Sequence, residues 1–597
     1  MRNDLIIGMA GSGGDGIVSA GESLMTAMAT KGYHAIMTKS FGSQIRGGES
    51  SCRLRISTDP VRSLGSTLDV AVALNWEDFL RFGSELPVGG RTVVIYDANT
   101  KVPPDRLPLT EVRPMVAIPV AIQEMAKEHA ATDKAKNTVV LGLLAGWFGL
   151  APDAVLAGIR KKFSKKGEEI LRGNEQAFAA GLEFAAAHPL TPDAVIAPAK
   201  PADGKTLLLD GNEMCAAAAV FAGCEFFGGY PITPSSEIMH FLSKELWKHG
   251  GTVLQAEDEI AGIGAAVGAS FAGKKAMTAT SGPGMSLKTE MLGLATIAEL
   301  PLVCVNVQRG GPSTGIPTKS EQSDLFQAVF SAHGDAVRPV LAPTSVHDTF
   351  RITVEAFNIA EEYQSPVILL SDQEIAQRKE TVPAINTSAY HVTNRRLPTR
   401  AELENYVRFR ITDSGVSPIS YPGMKGGNYL ASGIEHNEKG APTANGDIHA
   451  RMNDKRIRKL TPLRHRRDLF EIQGDQHAPL AIISWGSLAG VAAEALERAR
   501  EEGLRVKLLV PNLLYPVANE IYRDFFAGVK AGVIVEQSHQ GQLYRVLRMY
   551  VDVPRGMQSL ARSGANPILV EELVAHLRRL MFDLQRGRVP EPEPQLG

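Results

Sequence analysis

Short apolar runs that close on glycine, proline or a small polar residue and lead into a helical pattern recur along this chain. That recurrence constrains its fold more than any other feature. Leu5-Ile6-Ile7-Gly8 runs into Gly11-Ser12-Gly13-Gly14-Asp15-Gly16 and then an amphipathic helix. Leu68–Leu74, Val93–Tyr96 and Val139–Leu144 read as further strands of the same region. The pattern resumes with Val253-Leu254-Gln255, Ala276–Thr280, Leu302–Val307 and Val367–Ser371, and again with Leu480–Ser487, Arg505–Val510 and Val533–Glu536. Strands alternating with helices predict doubly wound α/β sheets. At 597 residues the chain exceeds one hydrophobic core, so several such domains are expected. The punctuation divides it into α/β domains at 1–190, 205–382 and 471–585, an Ala/Pro linker at 191–204, an irregular arm at 383–470 and a Pro/Glu-rich tail at 586–597.

Composition removes several function classes. A hydrophobic content of 44% and a net charge of -2 carry no bias toward nucleic acid. No apolar run is long enough to span a bilayer, and the first strand is too short for a signal segment, so a cytoplasmic location is expected. Cys52, Cys215, Cys224 and Cys304 are scattered, which reads as buried small hydrophobes in a reducing compartment. His436 and His449 lack ligand spacing, so no metal site is expected on this chain. The basic stretch Arg451–Arg467 has no interleaved aromatics and reads as an arm packing on a partner subunit.

The chemistry concentrates between Gly229 and Asp324. In Tyr230-Pro231-Ile232-Thr233-Pro234 two prolines fix a strand-to-helix loop and hold Thr233 extended. Its hydroxyl is then free to face a ligand, unless the segment only prepares an N-cap at Ser235 or Ser236. Glu259 opens a helix of small residues, Ile260-Ala261-Gly262-Ile263-Gly264-Ala265-Ala266-Val267-Gly268, one face of which suits close approach of a ligand or neighbouring helix. Residue pattern alone leaves Glu259 open between a helix-start acid, as for Glu257 and Asp258, and a buried acid facing a cofactor ring. Arg309 follows the strand Leu302–Val307 at a carboxyl end, where open α/β sheets hold ligands, and its planar fork matches a carboxylate.

The loop Gly11–Gly16 fits G-x-G-x-x-G, yet Ala35-Ile36-Met37-Thr38-Lys39 lacks the acid that would hold a ribose, which argues against NAD. Gly14-Asp15-Gly16 imitates the start of a magnesium–diphosphate site, but no Asn lies between Asn3 and Asn75 to complete it.

Tyr-Pro-Ile-Thr-Pro-Ser-Ser-Glu at 230–237, Glu-Asp-Glu-Ile-Ala-Gly at 257–262 and Gln-Arg-Gly-Gly-Pro-Ser-Thr-Gly at 308–315 resemble the alpha subunit of the 2-oxoacid:ferredoxin oxidoreductases. The Gly11–Gly16 loop with Ser40–Glu49 resembles that family's gamma domain, here fused at the N-terminus, with Asp15 where the family usually has Gln. The resemblance implies three α/β domains: gamma, thiamine-diphosphate pyrimidine-binding, and transketolase C-terminal-like, the last matched at Glu536 and Gly541-Gln542-Leu543. It implies CoA-dependent oxidative decarboxylation of a 2-oxoacid, with 2-oxoglutarate favoured, or the reverse carboxylation. Thiamine diphosphate would be shared with a beta subunit that carries Mg2+ and a 4Fe–4S cluster, electrons passing to ferredoxin, in a dimer of heterodimers.

Residue by residue, the resemblance puts Glu259, with Gly268 nine positions on, and Tyr230, Pro231 and Ile232 at the thiamine ring. It puts Thr233 and Arg309 at the reacting substrate, Thr318 at the substrate's far end, and coenzyme A near Gly11, Gly13, Gly14, Ser43 and Arg46. Lys319 is added as a cation for a distal carboxylate. Glu259 has to keep its proton near neutral pH, which burial among Ala and Gly away from any cation favours. Pyruvate or branched-chain 2-oxoacids, a thiamine dehydrogenase component not linked to ferredoxin, and a non-enzymatic CoA-binding scaffold are the alternatives. Intact Glu259, Thr233 and Arg309 argue against the scaffold.

Overall fold

A computed structural model describes residues 1–42, 48–109, 112–190, 194–201, 204–564 and 567–588. The chain forms two compact units, one built mainly from residues 1–209 and the other mainly from 210–376 and 386–564.

In the first unit, eight strands assemble among the described residues, in the order Val116–Val120, Val88–Asp97, Leu68–Ala73, Asp4–Gly11, Ser50–Ser57, His34–Phe41, Lys379–Pro383, Thr206–Leu209. The first four run parallel, whereas Ser50–Ser57 is antiparallel to both its neighbours. Period-two alternation divides Asp4–Gly11 between two cores. Leu5, Ile7 and Met9 face the helices Ile17–Thr30 and Lys136–Phe148, while Ile6 and Ala10 join Trp76, Phe79 and Tyr96. Val139–Leu144, expected as a strand, lies inside the helix Lys136–Phe148. Nearly every residue of that helix is buried, so it has no polar face to display a 3.6-residue period, and an apolar run alone cannot separate helix from strand. Gly142 and Gly181 let it cross the helix Glu168–Ala187 backbone to backbone.

In the second unit the seven-stranded order is Leu513–Tyr515, Val340–Leu341, Pro366–Asp372, Leu302–Gln308, Ala276–Thr280, Phe226–Gly229, Thr252–Gln255. All run parallel except Leu513–Tyr515 at one edge. Leu302–Gln308 and Pro366–Asp372 are buried along their whole length, as strands covered on both faces must be. The chain passes from Phe226–Gly229 outward to Thr252–Gln255, then crosses back to Ala276–Thr280 on the other side. Strand order therefore reverses between Phe226–Gly229 and Ala276–Thr280, and a crevice forms at their carboxyl ends. A five-stranded sheet, Phe470–Gly474, Val506–Pro511, Leu480–Ser484, Ala531–Glu536 and Gly556–Ala561, repeats the parallel pattern with Phe470–Gly474 antiparallel.

The basic stretch turns inward. Lys455 and Lys459, both buried, bond the carboxylate of Glu299 at 2.5 and 2.9 Å, and Arg456 bonds Glu435 at 2.6 Å. Arg466 meets Glu355 at 2.7 Å. These four cations neutralise acids of their own chain. All four cysteines are buried and free, and burial pushes the Cys215 thiol up to about 12. No helix among the described residues is long and apolar enough to cross a membrane.

Candidate active site

The reversal crevice collects the residues singled out at Tyr230–Thr233, Glu259 and Arg309. Phe226–Gly229 feeds Tyr230, which is 39% exposed, and the half-buried Pro231, Ile232 and Thr233. Asn212 braces this loop by donating to the Pro234 carbonyl at 2.7 Å. Asp210 and Glu213 form a capping box at the start of the helix Gly211–Phe221; the reach of Asn212 to Pro234 has no signal in local spacing. Ser235 precedes the helix Ser236–Glu245 but makes no side-chain cap, its hydroxyl bonding the Ile232 carbonyl instead. The Thr233 carbonyl accepts from Arg309 Nη1 at 2.6 Å, joining two predicted substrate residues.

Asp258 caps the helix Glu259–Phe271 through the Ala261 amide, leaving Glu259 as its first residue. The helix approaches its strand closely because both surfaces are glycine. Any side chain at Gly228 would strike the Gly262 carbonyl, and one at Gly262 would lie 3.0 Å from Gly229 Cα. The close contact is therefore at Gly262, while Gly268 faces open space.

Glu259 is 7% exposed. Its carboxyl lies against Gly284 in the first turn of the helix Gly282–Ile297, where a Cβ would stand 2.7 Å from Oε1. That carboxyl finds no hydrogen-bond partner among the described residues. The expectation of a site without a nearby cation needs correction: the fully buried Lys288 donates to the Glu259 carbonyl at 3.0 Å and to Thr278 Oγ1 at 3.1 Å. Burial lowers the Lys288 pKa, opposed first by Cys304 and less by the acids at the start of the helix Glu259–Phe271.

Arg309 is 6% exposed, its Nε is buried without a partner, and among the described residues it forms no ion pair. Burial lowers its pKa, opposed by Asp324. A buried guanidinium with one carbonyl bond is poised for an anion, because its unmet donors cost free energy until one arrives. The loop beyond it folds back on itself through Gly310 and Ile316, with Gly315 at φ 56 where a side chain would strike the Gly310 carbonyl. The Gly310 amide donates to the Lys319 carbonyl at 2.9 Å, which ties half-buried Thr318 and Lys319 to the Arg309 turn.

In the first unit the glycine loop is closed by its own acid. Asp15 Oδ2 accepts from the Ser12 amide at 3.0 Å, and Oδ1 pairs with Lys136 at 2.7 Å. Gly11 lies against that carboxylate, where a Cβ would stand 2.8 Å from Oδ2, whereas Gly14 faces open space; Ser43 and Arg46 lie outside the described residues.

A family model described as the thiamine-diphosphate-binding part of pyruvate flavodoxin/ferredoxin oxidoreductase matches residues 217–454, and a second, of pyruvate ferredoxin/flavodoxin oxidoreductase, matches 6–184. The alpha subunit of a 2-oxoacid:ferredoxin oxidoreductase of Aeropyrum pernix is 30% identical over 97% of both chains. The 2-oxoglutarate oxidoreductase subunit KorA of Mycobacterium tuberculosis is 33% identical over 99% of this chain and 93% of its own. This chain belongs to the 2-oxoacid:ferredoxin oxidoreductase family. The solved 2-oxoglutarate:ferredoxin oxidoreductase of Magnetococcus marinus, with 2-oxoglutarate, coenzyme A and succinyl-CoA bound, superposes with a TM-score of 0.91 at 37% identity, covering 97% of this chain and all of that one. Relatives named alpha subunits thus span the N-terminal segment as well, and the α/β class and the oxidoreductase assignment both stand. The carboxyl of Glu259, on a buried residue and without a hydrogen bond among the described residues, fits a ring nitrogen of the cofactor that this family's thiamine domain takes.

Proposed function

We propose that this chain is the alpha subunit of a CoA-acylating 2-oxoglutarate:ferredoxin oxidoreductase that works with a beta-type subunit. One juxtaposition supports the reading: Glu259, buried and with no hydrogen bond to its carboxyl among the described residues, and the under-bonded, buried guanidinium of Arg309 both follow carboxyl ends of strands in one parallel sheet. When bound, thiamine diphosphate supplies the electron sink for cleaving the bond between carboxylate and 2-oxo carbon. Glu259 holds a proton toward the ring nitrogen. Arg309 grips the substrate carboxylate, the Thr233 hydroxyl orients the reacting carbonyl, and Tyr230, Pro231 and Ile232 wall the ring. Thr318 and Lys319 meet the distal carboxylate. The Magnetococcus and Mycobacterium relatives, both named for 2-oxoglutarate, support that substrate over pyruvate or a branched-chain acid.

The four cysteines are buried and dispersed, so the 4Fe–4S cluster and the Mg2+–diphosphate site belong to the beta subunit, which passes electrons to ferredoxin. Ile260 and Leu287, each about half exposed on adjacent helices beside Glu259, offer that subunit an apolar face. A soluble, cytoplasmic dimer of heterodimers is the assembly, with coenzyme A contacting the Gly11–Gly14 loop. The test is an absorbance spectrum of the purified complex. Bleaching of cluster absorbance on adding 2-oxoglutarate and CoA, with much less on adding pyruvate, supports the reading. An unchanged spectrum with NAD reduction instead moves the chain to a thiamine dehydrogenase not linked to ferredoxin. A selective loss of 2-oxoglutarate turnover in Lys319→Ala tests the distal contact; equal loss with pyruvate removes it.

A further inference from the structure

One half-buried acid at the end of the strand that leads into Arg309 has no part in this reading. Asp324, ahead of the helix Leu325–Phe330, is fastened to the end of the strand that delivers Arg309. Asn306 Nδ2 donates to its Oδ2 at 3.0 Å, and its own amide donates to Gln308 Oε1 at 3.0 Å. Its carboxylate lies over Gly282, where a Cβ would stand 3.0 Å from Oδ2, two residues from the glycine that accommodates Glu259. Two acids therefore bracket the first turn of the helix Gly282–Ile297. Ser281 Oγ, Asn306 Oδ1 and Arg309 Nε, all buried, have no partner among the described residues.

The charged groups around Asp324 are Arg309, which attracts a carboxylate, Glu321, which opposes one, and Glu259 with Lys288 beyond the helix turn. Asp324 and Arg309 make no direct ion pair, so they act on each other through space. Burial pushes the Asp324 carboxyl up to about 6, despite the bond from Asn306.

We propose that Asp324 is the proton-exchanging counter-ion of Arg309: ionised while the site is empty, and protonated when a 2-oxoacid carboxylate takes the guanidinium. This rests on the reading that Arg309 receives that carboxylate. Two carboxylates that share one cation in a poorly hydrated site cannot both stay ionised cheaply, so the substrate's arrival drives a proton from solvent onto Asp324. When the carboxylate departs as neutral carbon dioxide, Asp324 returns the proton to solvent and resumes its charge. No electrons move in this exchange. Asp324 thus acts through Arg309 and sets the pH dependence of substrate binding.

The test is calorimetric titration of the thiamine-loaded complex with 2-hydroxyglutarate, an unreactive dicarboxylate, in buffers of different ionisation enthalpy. Binding to the unmodified complex should take up close to one proton near pH 7 and much less near pH 5, where Asp324 already holds its proton (about one proton for one site). Asp324→Asn should bind with no uptake and up to about tenfold more tightly near pH 7. A merely structural role for Asp324 leaves the proton count unmoved. Arg309-dependent binding without proton uptake overturns the inference, as does uptake that persists in Asp324→Asn. If Arg309→Met binds 2-hydroxyglutarate as tightly as the unmodified chain, the assignment of Arg309 itself fails. The proton count of the unmodified complex decides the matter even where Asp324→Asn folds poorly.

Discussion

The glycine loop of the first unit and the reversal crevice of the second are built alike, each a strand end opening onto a helix with an acid at hand. They differ in what that acid touches. Asp15 is engaged by the Ser12 amide and Lys136, so the loop around it is internally neutral and bonded. Among the described residues Arg309 Nε is buried without a partner, and the buried Glu259 accepts no hydrogen bond at its carboxyl. Unmet polar groups in a buried place cost free energy in the empty protein, and only a ligand repays it. A glycine signature marks where backbone can approach; unpaired donors at a strand's carboxyl end mark where a ligand can be met.

The comparison breaks first at Glu259. Glu259→Gln keeps the shape and takes the exchangeable proton, so acyl-CoA formation should fall by about 100- to 10,000-fold, with the thermal midpoint little changed. An undiminished rate with the beta subunit present removes Glu259 from the chemistry. Arg309→Met comes next. Losing a charge-assisted contact should lower kcat/KM for a 2-oxoacid by about 10- to 150-fold. The apo chain should change little in stability near pH 7, since an under-bonded cation leaves and its counter-ion Asp324 takes up a proton. A large drop in stability would mean Arg309 is a structural bond to Thr233 and little more.

How much of this contrast the sequence carried depends on the interaction. Fully buried parallel strands such as Leu302–Gln308 are visible as apolar runs, and the proline-fixed loop at Tyr230–Pro234 is visible because its restraint is covalent. Val139–Leu144 misleads, because a helix buried all round hides its period. Lys288 beside Glu259, Asn212 beside Pro234 and Asp324 beside Gly282 are long-range pairings formed by sheet order, with nothing in local spacing to announce them. The inward turn of Lys455 and Lys459 is of the same kind: a basic run looks solvated until Glu299, some 150 residues earlier, is found beneath it.

The Asp15 loop sharpens the comparison from the other side. If its carboxylate stands where an anion would, Asp15→Gln should free Lys136 and the loop amides. Binding of coenzyme A, measured by titration, should then tighten by about three- to tenfold, the scale of one partly exposed charge contact. Unchanged affinity would separate the glycine loop from coenzyme A.

Glu536 offers the smallest effect and the finest test, because it is an acid that is both bonded and shifted. It accepts from the Leu543 and Tyr544 amides at 2.9 and 3.1 Å and from Ser538 at 3.1 Å, at the start of the helix Gln542–Tyr550. Burial nonetheless outweighs these bonds and pushes its carboxyl up to about 7. A carboxyl whose folded pKa lies above its unfolded value binds more protons in the native state. Its contribution to stability is complete below about pH 4.5 and is lost as pH rises toward 7. Thermal midpoints of the chain should therefore fall by about 2 °C across that window from this group, and Glu536→Gln should flatten the fall. A profile with the same slope in both proteins would mean that the helix-end amides hold Glu536 ionised after all. Bonding would then predict the protonation state of a buried acid as well as it predicts an occupied site.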